Sequence, residues 1–228
     1  MGKIKKHKYG FLKVLIFSFL LAFLAILFFD KIVTFVINNC TAYRVTYAQW
    51  GDSIFRRSKI KELEIHGKDG KFDVYVKEMR INVTSLVLFK NPQLEFFCKM
   101  SGVKFISNET SILPPGDRVL AFSFESGRTY ENISFNTLIN RKLFKITGFK
   151  ADSKNIKIEG NYTFDKVPSN VFLGVKLSFS PEIITAMDDN FIKKGMLSLE
   201  DDGWYSASIE YNGNHELLKA MYDFVLPD

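Results

Sequence analysis

"INVTSLVLFKNPQLEFFCKMSGVKF", residues 81–105, decides the fold. Half of the stretch is apolar, yet polar residues interrupt it repeatedly and Pro92 breaks it in the middle, so it is no membrane-spanning helix. Beyond Pro92 the pattern is period two: Leu94, Phe96, Cys98 and Met100 share one parity. That is the signature of a strand with one apolar face. Before it, Phe72, Val74 and Val76 alternate with Asp73, Tyr75 and Lys77, whereas Met79, Ile81 and Val83 fall on the opposite parity. The shift between 76 and 79 predicts a bulge or a bend in a long strand.

The same period recurs along the chain. Leu120, Phe122 and Phe124 share one parity, as do Tyr205, Ala207, Ile209 and Tyr211. The best series is Val171, Leu173, Val175, Leu177 and Phe179, with Gly174, Lys176 and Ser178 between. The turns suit antiparallel neighbours: "HGKDGK" joins strands near 60–66 and 71–77, and Asp202-Gly203 in "EDDGW" is a strong hairpin signal. "VTSLVLFKNP" has room for one short turn before Pro92, and "LPPGD" at 113–117 marks a long loop and a candidate sub-boundary. Helices are few. "SPEIITAMDDNF" reads as one, with Ser180 as cap, Pro181 at the first position and Glu182 at the positive end. "NHELLKAMYDF" reads as a second, with Asn214 as cap. The fold class expected is therefore mainly β: an N-terminal transmembrane helix, then an antiparallel, curved sheet or sandwich with one or two short helices near the C-terminus. So few helices cannot cover the apolar faces, which leaves a second sheet, strong curvature or a lipid chain to do so.

The N-terminus carries the membrane signal. "MGKIKKHKYG" precedes "FLKVLIFSFLLAFLAILFF", an apolar run over residues 11–29. Nineteen residues at 1.5 Å each span roughly 28 Å, close to the hydrocarbon thickness of a bilayer. Lys13 can snorkel to the interface. A cleaved signal peptide is the competing reading, but the run is longer than its usual apolar core and no Ala-x-Ala site follows. Asn38 and Asn39 make Cys40 a poor lipoprotein acceptor. The organisation expected is a basic cytoplasmic tail over 1–10, an anchor over 11–29 with helical periodicity continuing to 38, and an exocytoplasmic β-rich domain over 42–228. The lysines before the run put the N-terminus in the cytoplasm and the body in the periplasm or another extracytoplasmic space.

The formal charge of +6 belongs mostly to this signal: residues 1–31 hold six Lys against Asp30, leaving 25 Lys/Arg and 24 Asp/Glu in the rest. A nearly neutral body is not the footprint of a nucleic-acid binder. Catalytic patterns are also missing. The three histidines, His7, His66 and His215, form no suggested triad, no G-x-S-x-G occurs, and "GKDGK" lacks the spacing of a P-loop. No metal-ligand spacing, catalytic residue or cofactor is expected. Glu200, Asp201 and Asp202 read as a solvated turn, and Cys40 and Cys98 as two free thiols rather than a disulfide. Five Asn-x-Ser/Thr triplets, at Asn39, Asn82, Asn108, Asn132 and Asn161, read as fortuitous rather than as glycan acceptors.

The order of basic tail, single anchor and "YRVTYAQWGDSIFRRSKIKELEIHGKDGKFDVYVKEMRINVTSLVLFKNPQLEFFCKMSGVKF" resembles the start of AsmA-like and TamB-like envelope proteins, and of the related protein N of type II secretion. The shared texture is a strand in which "ELEI" gives way to "VYVKEMRINV", a turn at Ser85-Leu86, and a further apolar strand. "KITGFKADSKNIKIEGNYTF" looks like the short strand-turn-strand units of the same proteins. The resemblance covers about residues 11–165. It implies a curved sheet with a hydrophobic inner groove that moves lipid or supports envelope assembly, with no catalytic residues to carry over. The partners implied are membrane lipid and envelope or secretion-complex proteins, at the inner membrane. The groove residues expected are Phe96, Cys98, Met100, Val171, Leu173, Val175, Leu177 and Phe179. The competing reading is a non-catalytic β-sandwich, anchored to the membrane, that buries its own apolar face and binds proteins.

Overall fold

The structure is a computed structural model and describes residues 29–51, 57–70, 72–107, 128–167, 169–184 and 197–214. Its contacts divide the chain into Met1–Thr41 and Ala42–Asp228. The first unit contributes helix α1, Phe29–Cys40. Its end is closed by Thr41, whose amide and hydroxyl both donate to the Ile37 carbonyl, at 3.1 and 2.8 Å. Ile32, Phe35 and Val36 form an exposed apolar stripe. No helix among the described residues is long and apolar enough to cross a membrane. Residues 1–10 and 11–28 of the expected tail and anchor lie outside the described residues, as do 113–117, the strand expected at 120–124, His7 and His215.

The second unit is one antiparallel sheet of eleven strands. In chain order these are β1 (Tyr43–Thr46), β2 (Gln49–Gly51), β3 (Arg57–Gly67), β4 (Phe72–Val87), β5 (Gln93–Ser107), β6 (Thr129–Asn140), β7 (Leu143–Asp152), β8 (Ile156–Lys166), β9 (Ser169–Phe179), β10 (Ser198–Leu199) and β11 (Tyr205–Asn214). Their spatial order is β1-β3-β4-β5-β6-β7-β8-β9-β11-β10, with β2 alongside β1 on the edge of β3. From β3 to β9 it is a plain meander, each strand pairing antiparallel with the next in sequence. The β3–β4 turn is closed by Gly70 N to Gly67 O at 3.0 Å, and the β10–β11 turn by Gly203 N to Glu200 O at 3.0 Å. Of the two forms expected, the curved single sheet is the one observed; the hydrogen-bonded path does not break into two stacked sheets.

The parity shift expected between 76 and 79 is one part of a crease that crosses four strands. The ladder skips Glu62 and Lys77 between β3 and β4, Lys77 and Gly102 between β4 and β5, and Gly102 and Glu131 between β5 and β6. Glu62 and Gly102 take positive φ, 49° and 60°. A Cβ on Gly102 would come within 2.9 Å of the Lys77 Cβ, so glycine is needed there both for its backbone and for the close approach. The crease lets Ile60 and Leu63, or Val76 and Met79, lie on one face despite their odd spacing. A second bend comes from Gly148 in β7, at φ 59°, whose amide donates to the Asn161 Oδ1 at 3.0 Å. Asn161 therefore has a structural partner in one of the Asn-x-Thr triplets.

Two local expectations differ. Ser85-Leu86 is not a turn: both residues lie in β4, just past a bulge at Thr84 that lets Ser85 pair with Glu95 and Leu86 with Leu94. Ser180 does not cap through its side chain, whose hydroxyl is buried without a hydrogen-bond partner. Its carbonyl instead accepts from Ile183 and Ile184, starting helix α2, Pro181–Ile184. Asn214, expected as a helix cap, closes β11 opposite Asn170, and the helix expected beyond it lies outside the described residues.

Candidate functional site

Directly paired residues in an antiparallel ladder share a face, so the register defines the inner face row by row. Met79 pairs with Met100, and the row continues through Ile133, Ala151 and Ile158 to Leu177. The next row joins Ile81, Cys98 and Phe135, and Phe135 stacks on Phe149 at 6.1 Å, opposite Gly160 and Val175. Then comes Val83, Phe96, Thr137, Ile146, Tyr162 and Leu173. The last row is Leu86, Leu94, Ile139, Phe144, Phe164 and Val171. The eight groove residues expected from sequence all lie on this face.

The face has two halves of different character. Near the β3–β4 turn it is a closed core. Val76, Val103, Tyr130, Ile156, Leu177 and Phe179 are buried there, and Ile184 of α2 and Leu197 pack into the same cluster. Met100 and Val175 are partly buried against it. The other half is open. Phe96, Ile146, Tyr162, Leu173, Phe144 and Phe164 are only half-buried, and Leu86 is exposed. Cys98 and Val171 are fully buried but stand outside the main cluster. Thus the expected residues split: Leu177 and Phe179 are core, and Phe96 and Leu173 line the open strip.

Sequence reasoning missed Phe144, Ile146, Tyr162 and Thr137. The Gly148 bulge explains why: Phe144 and Ile146 have one parity and Phe149 and Ala151 the other, so no period-two run spans β7. Thr137 is 4% exposed and its hydroxyl has no hydrogen-bond partner. Burial pushes the Tyr162 phenol up and the Cys98 thiol up to about 12, so Cys98 stays protonated. Both Cys40 and Cys98 are free thiols.

The outer face is polar. Lys59 and Arg80 both contact Glu78, at 2.9 and 2.6 Å, and together they hold its carboxyl below the usual range. Lys150 pairs with Glu159 and Lys176 with Glu200, both at 3.0 Å. At the β1 edge an open depression of about 590 Å³ is lined by Arg44, Thr46, Glu64, His66, Gly67 and Lys68. His66 is held there by Asp73 at 2.9 Å and Glu64 at 3.2 Å. Open to solvent and lined by charged side chains of both signs, this depression does not suit an acyl chain. Among the described residues, no group of His, Cys, Asp and Glu is arranged to hold a metal ion. No family model, curated protein or solved structure matches the chain.

Proposed function

We propose that the chain is a membrane-anchored, non-catalytic envelope protein that holds an acyl chain along the open half of its inner face, in the manner the resemblance to AsmA-like proteins implies. One observation carries the reading: a largely apolar strip crosses the sheet from β4 to β9, and at one end the protein leaves it half-buried. Burying a large apolar side chain is worth about 1.5–3 kcal/mol, so several half-covered rows on one surface favour an apolar cover. In this reading residues 11–29 anchor the chain, residues 42–228 stand outside the cytoplasm, and the polar outer face is free to meet envelope or secretion-complex proteins.

The test uses two aspartates one row apart. Val175 packs against the closed core, so Val175→Asp buries a charge and should unfold the sheet. Leu173 lies in the open strip, so Leu173→Asp should keep the wild-type circular dichroism and lose lipid that co-purifies with the full chain, read by mass spectrometry. Wild-type protein that carries no lipid, with a Leu173→Asp variant that unfolds like Val175→Asp, would return the molecule to the scaffold reading.

A further inference from the structure

The strands end together on the side of the open strip. Val87 pairs with Gln93, Gln93 with Asn140, Leu143 with Asp165, Asp165 with Asn170, and Asn170 with Asn214. The hairpin tips of β4–β5, β6–β7 and β8–β9 therefore project from one flush edge. At two strand spacings between successive tips, the three span about 19 Å. Two of the tips are apolar and exposed. Phe89 is 83% exposed, Val167 81% and Leu88 65%. Single exposed apolar residues need no explanation, but these are gathered at one end of a sheet whose outer face is salt-bridged and polar. Around them stand Lys90, Arg141, Lys142 and Lys166, against Asp165 alone in the same turns.

These tips are built rather than frayed. The Asn140 Oδ1 accepts from the amides of Lys142 and Leu143, at 2.9 and 2.8 Å, which fixes the turn that displays Arg141 and Lys142. The Lys166 amide donates to the Lys142 carbonyl at 2.7 Å and ties the second tip to the third. Lys90 adopts φ 62°, with Asn91 N donating to the Phe89 carbonyl at 2.8 Å, and this tight turn leaves the Phe89 ring in solvent.

We infer that this rim docks on the surface of an anionic lipid bilayer, with Leu88, Phe89 and Val167 entering the acyl boundary and the four cations meeting lipid phosphates. Apolar tips that protrude in a flush row, collared by one sign of charge, fit a flat, negative, deformable surface. A protein partner would need a matching set of sockets. The chain joins the sheet at the other end of the strands, since Tyr43 pairs with Gly67 beside the β3–β4 turn. The 16 residues of β4, at about 3.3 Å each, put roughly 50 Å between that junction and the rim. The open strip runs out to the rim through Leu86 and Phe164, so a bilayer docked there would meet its mouth. The docking itself does not require the strip to carry lipid.

Full-length protein in phosphatidylcholine nanodiscs, mixed with phosphatidylcholine vesicles with or without phosphatidylglycerol, tests this by flotation. Wild type should float with the phosphatidylglycerol vesicles, less so at high salt, and not with the neutral ones. At about 1 kcal/mol per cation, Lys90→Gln with Lys142→Gln should weaken binding about thirtyfold. Phe89→Ser should weaken it about tenfold, and Phe89→Leu should restore it. Unchanged circular dichroism shows that the variants fold. No flotation of wild type, or rim variants that float as wild type does, would overturn the inference. Lipid co-purification should be the same in all rim variants, so failure at the rim leaves the reading of the strip standing, and the reverse.

Discussion

His66 shows how a single side chain on the outer face responds to pH. A neutral imidazole has one N–H and can donate to only one of its two carboxylate neighbours, whereas the protonated ring donates to Asp73 and Glu64 together. The Asp73 hydrogen bond raises its pKa most. Partial burial opposes this, and the Glu64 bond and both carboxylate charges add to it, for a net rise. Arg44 pairs with it from β1, and Tyr75 of β4 lies edge-on to its ring at 5.9 Å. Because the folded pKa is raised, the stabilising contribution is complete below the ordinary imidazole value of about 6.5 and disappears as pH rises through the folded value. Thermal melts of wild type and His66→Gln should therefore differ most near pH 6 and converge above pH 8. A difference that does not change with pH would show that His66 acts by packing alone. Lipid retention should be unaffected at either pH, since the residue lies on the face opposite the apolar strip.

At the scale of strands, the sequence was legible wherever the period of two ran unbroken. Leu94 to Met100 in β5, Val171 to Phe179 in β9 and Tyr205 to Tyr211 in β11 are such runs, and the structure puts each on one face. It was legible at the crease in β4, because the parity of the apolar residues changes across Lys77. It was not legible in β7, where the Gly148 bulge splits the run, nor at Ser85-Leu86, where the resemblance suggested a turn and the one-residue bulge at Thr84 keeps the strand going. The Thr84 bulge yields a sharp prediction. Thr84 is the one extra residue between Val83, opposite Phe96, and Ser85, opposite Glu95. Deleting Thr84 leaves every other pair in place, with Leu86 still facing Leu94, and should cost about 1 kcal/mol or less. Deleting Lys99, in the regular part of β5, flips every residue on one side of it to the wrong face and should abolish cooperative unfolding. Thermal melts of the two deletions compare them directly, and equal destabilisation would sink the register.

Across the whole sheet, the same ladder of hydrogen bonds is supported unequally. Near the β3–β4 turn each strand rests on a closed core sealed by Ile184 and Leu197; toward the rim the strands share hydrogen bonds but half-cover their side chains. Local opening free energy follows buried apolar contact more than the number of backbone bonds. Amides of Val103, Ile133, Ile158 and Leu177 should therefore exchange with solvent far more slowly than those of Phe144, Ile146, Phe164 and Leu173, although all lie in paired strands. An acyl chain on the open strip would supply the missing contacts, and a ligand that binds only the closed form adds protection as RT ln(1 + [L]/Kd), about 2.7 kcal/mol at a hundredfold excess over Kd. Delipidated full-length protein, followed by hydrogen exchange before and after phospholipid is returned, should show slowing confined to the second set of amides. Equal protection of both sets without lipid would mean that the inner face is closed by protein along its whole length. Slowing spread evenly over both sets would mean that lipid stabilises the sheet globally without seating on the strip.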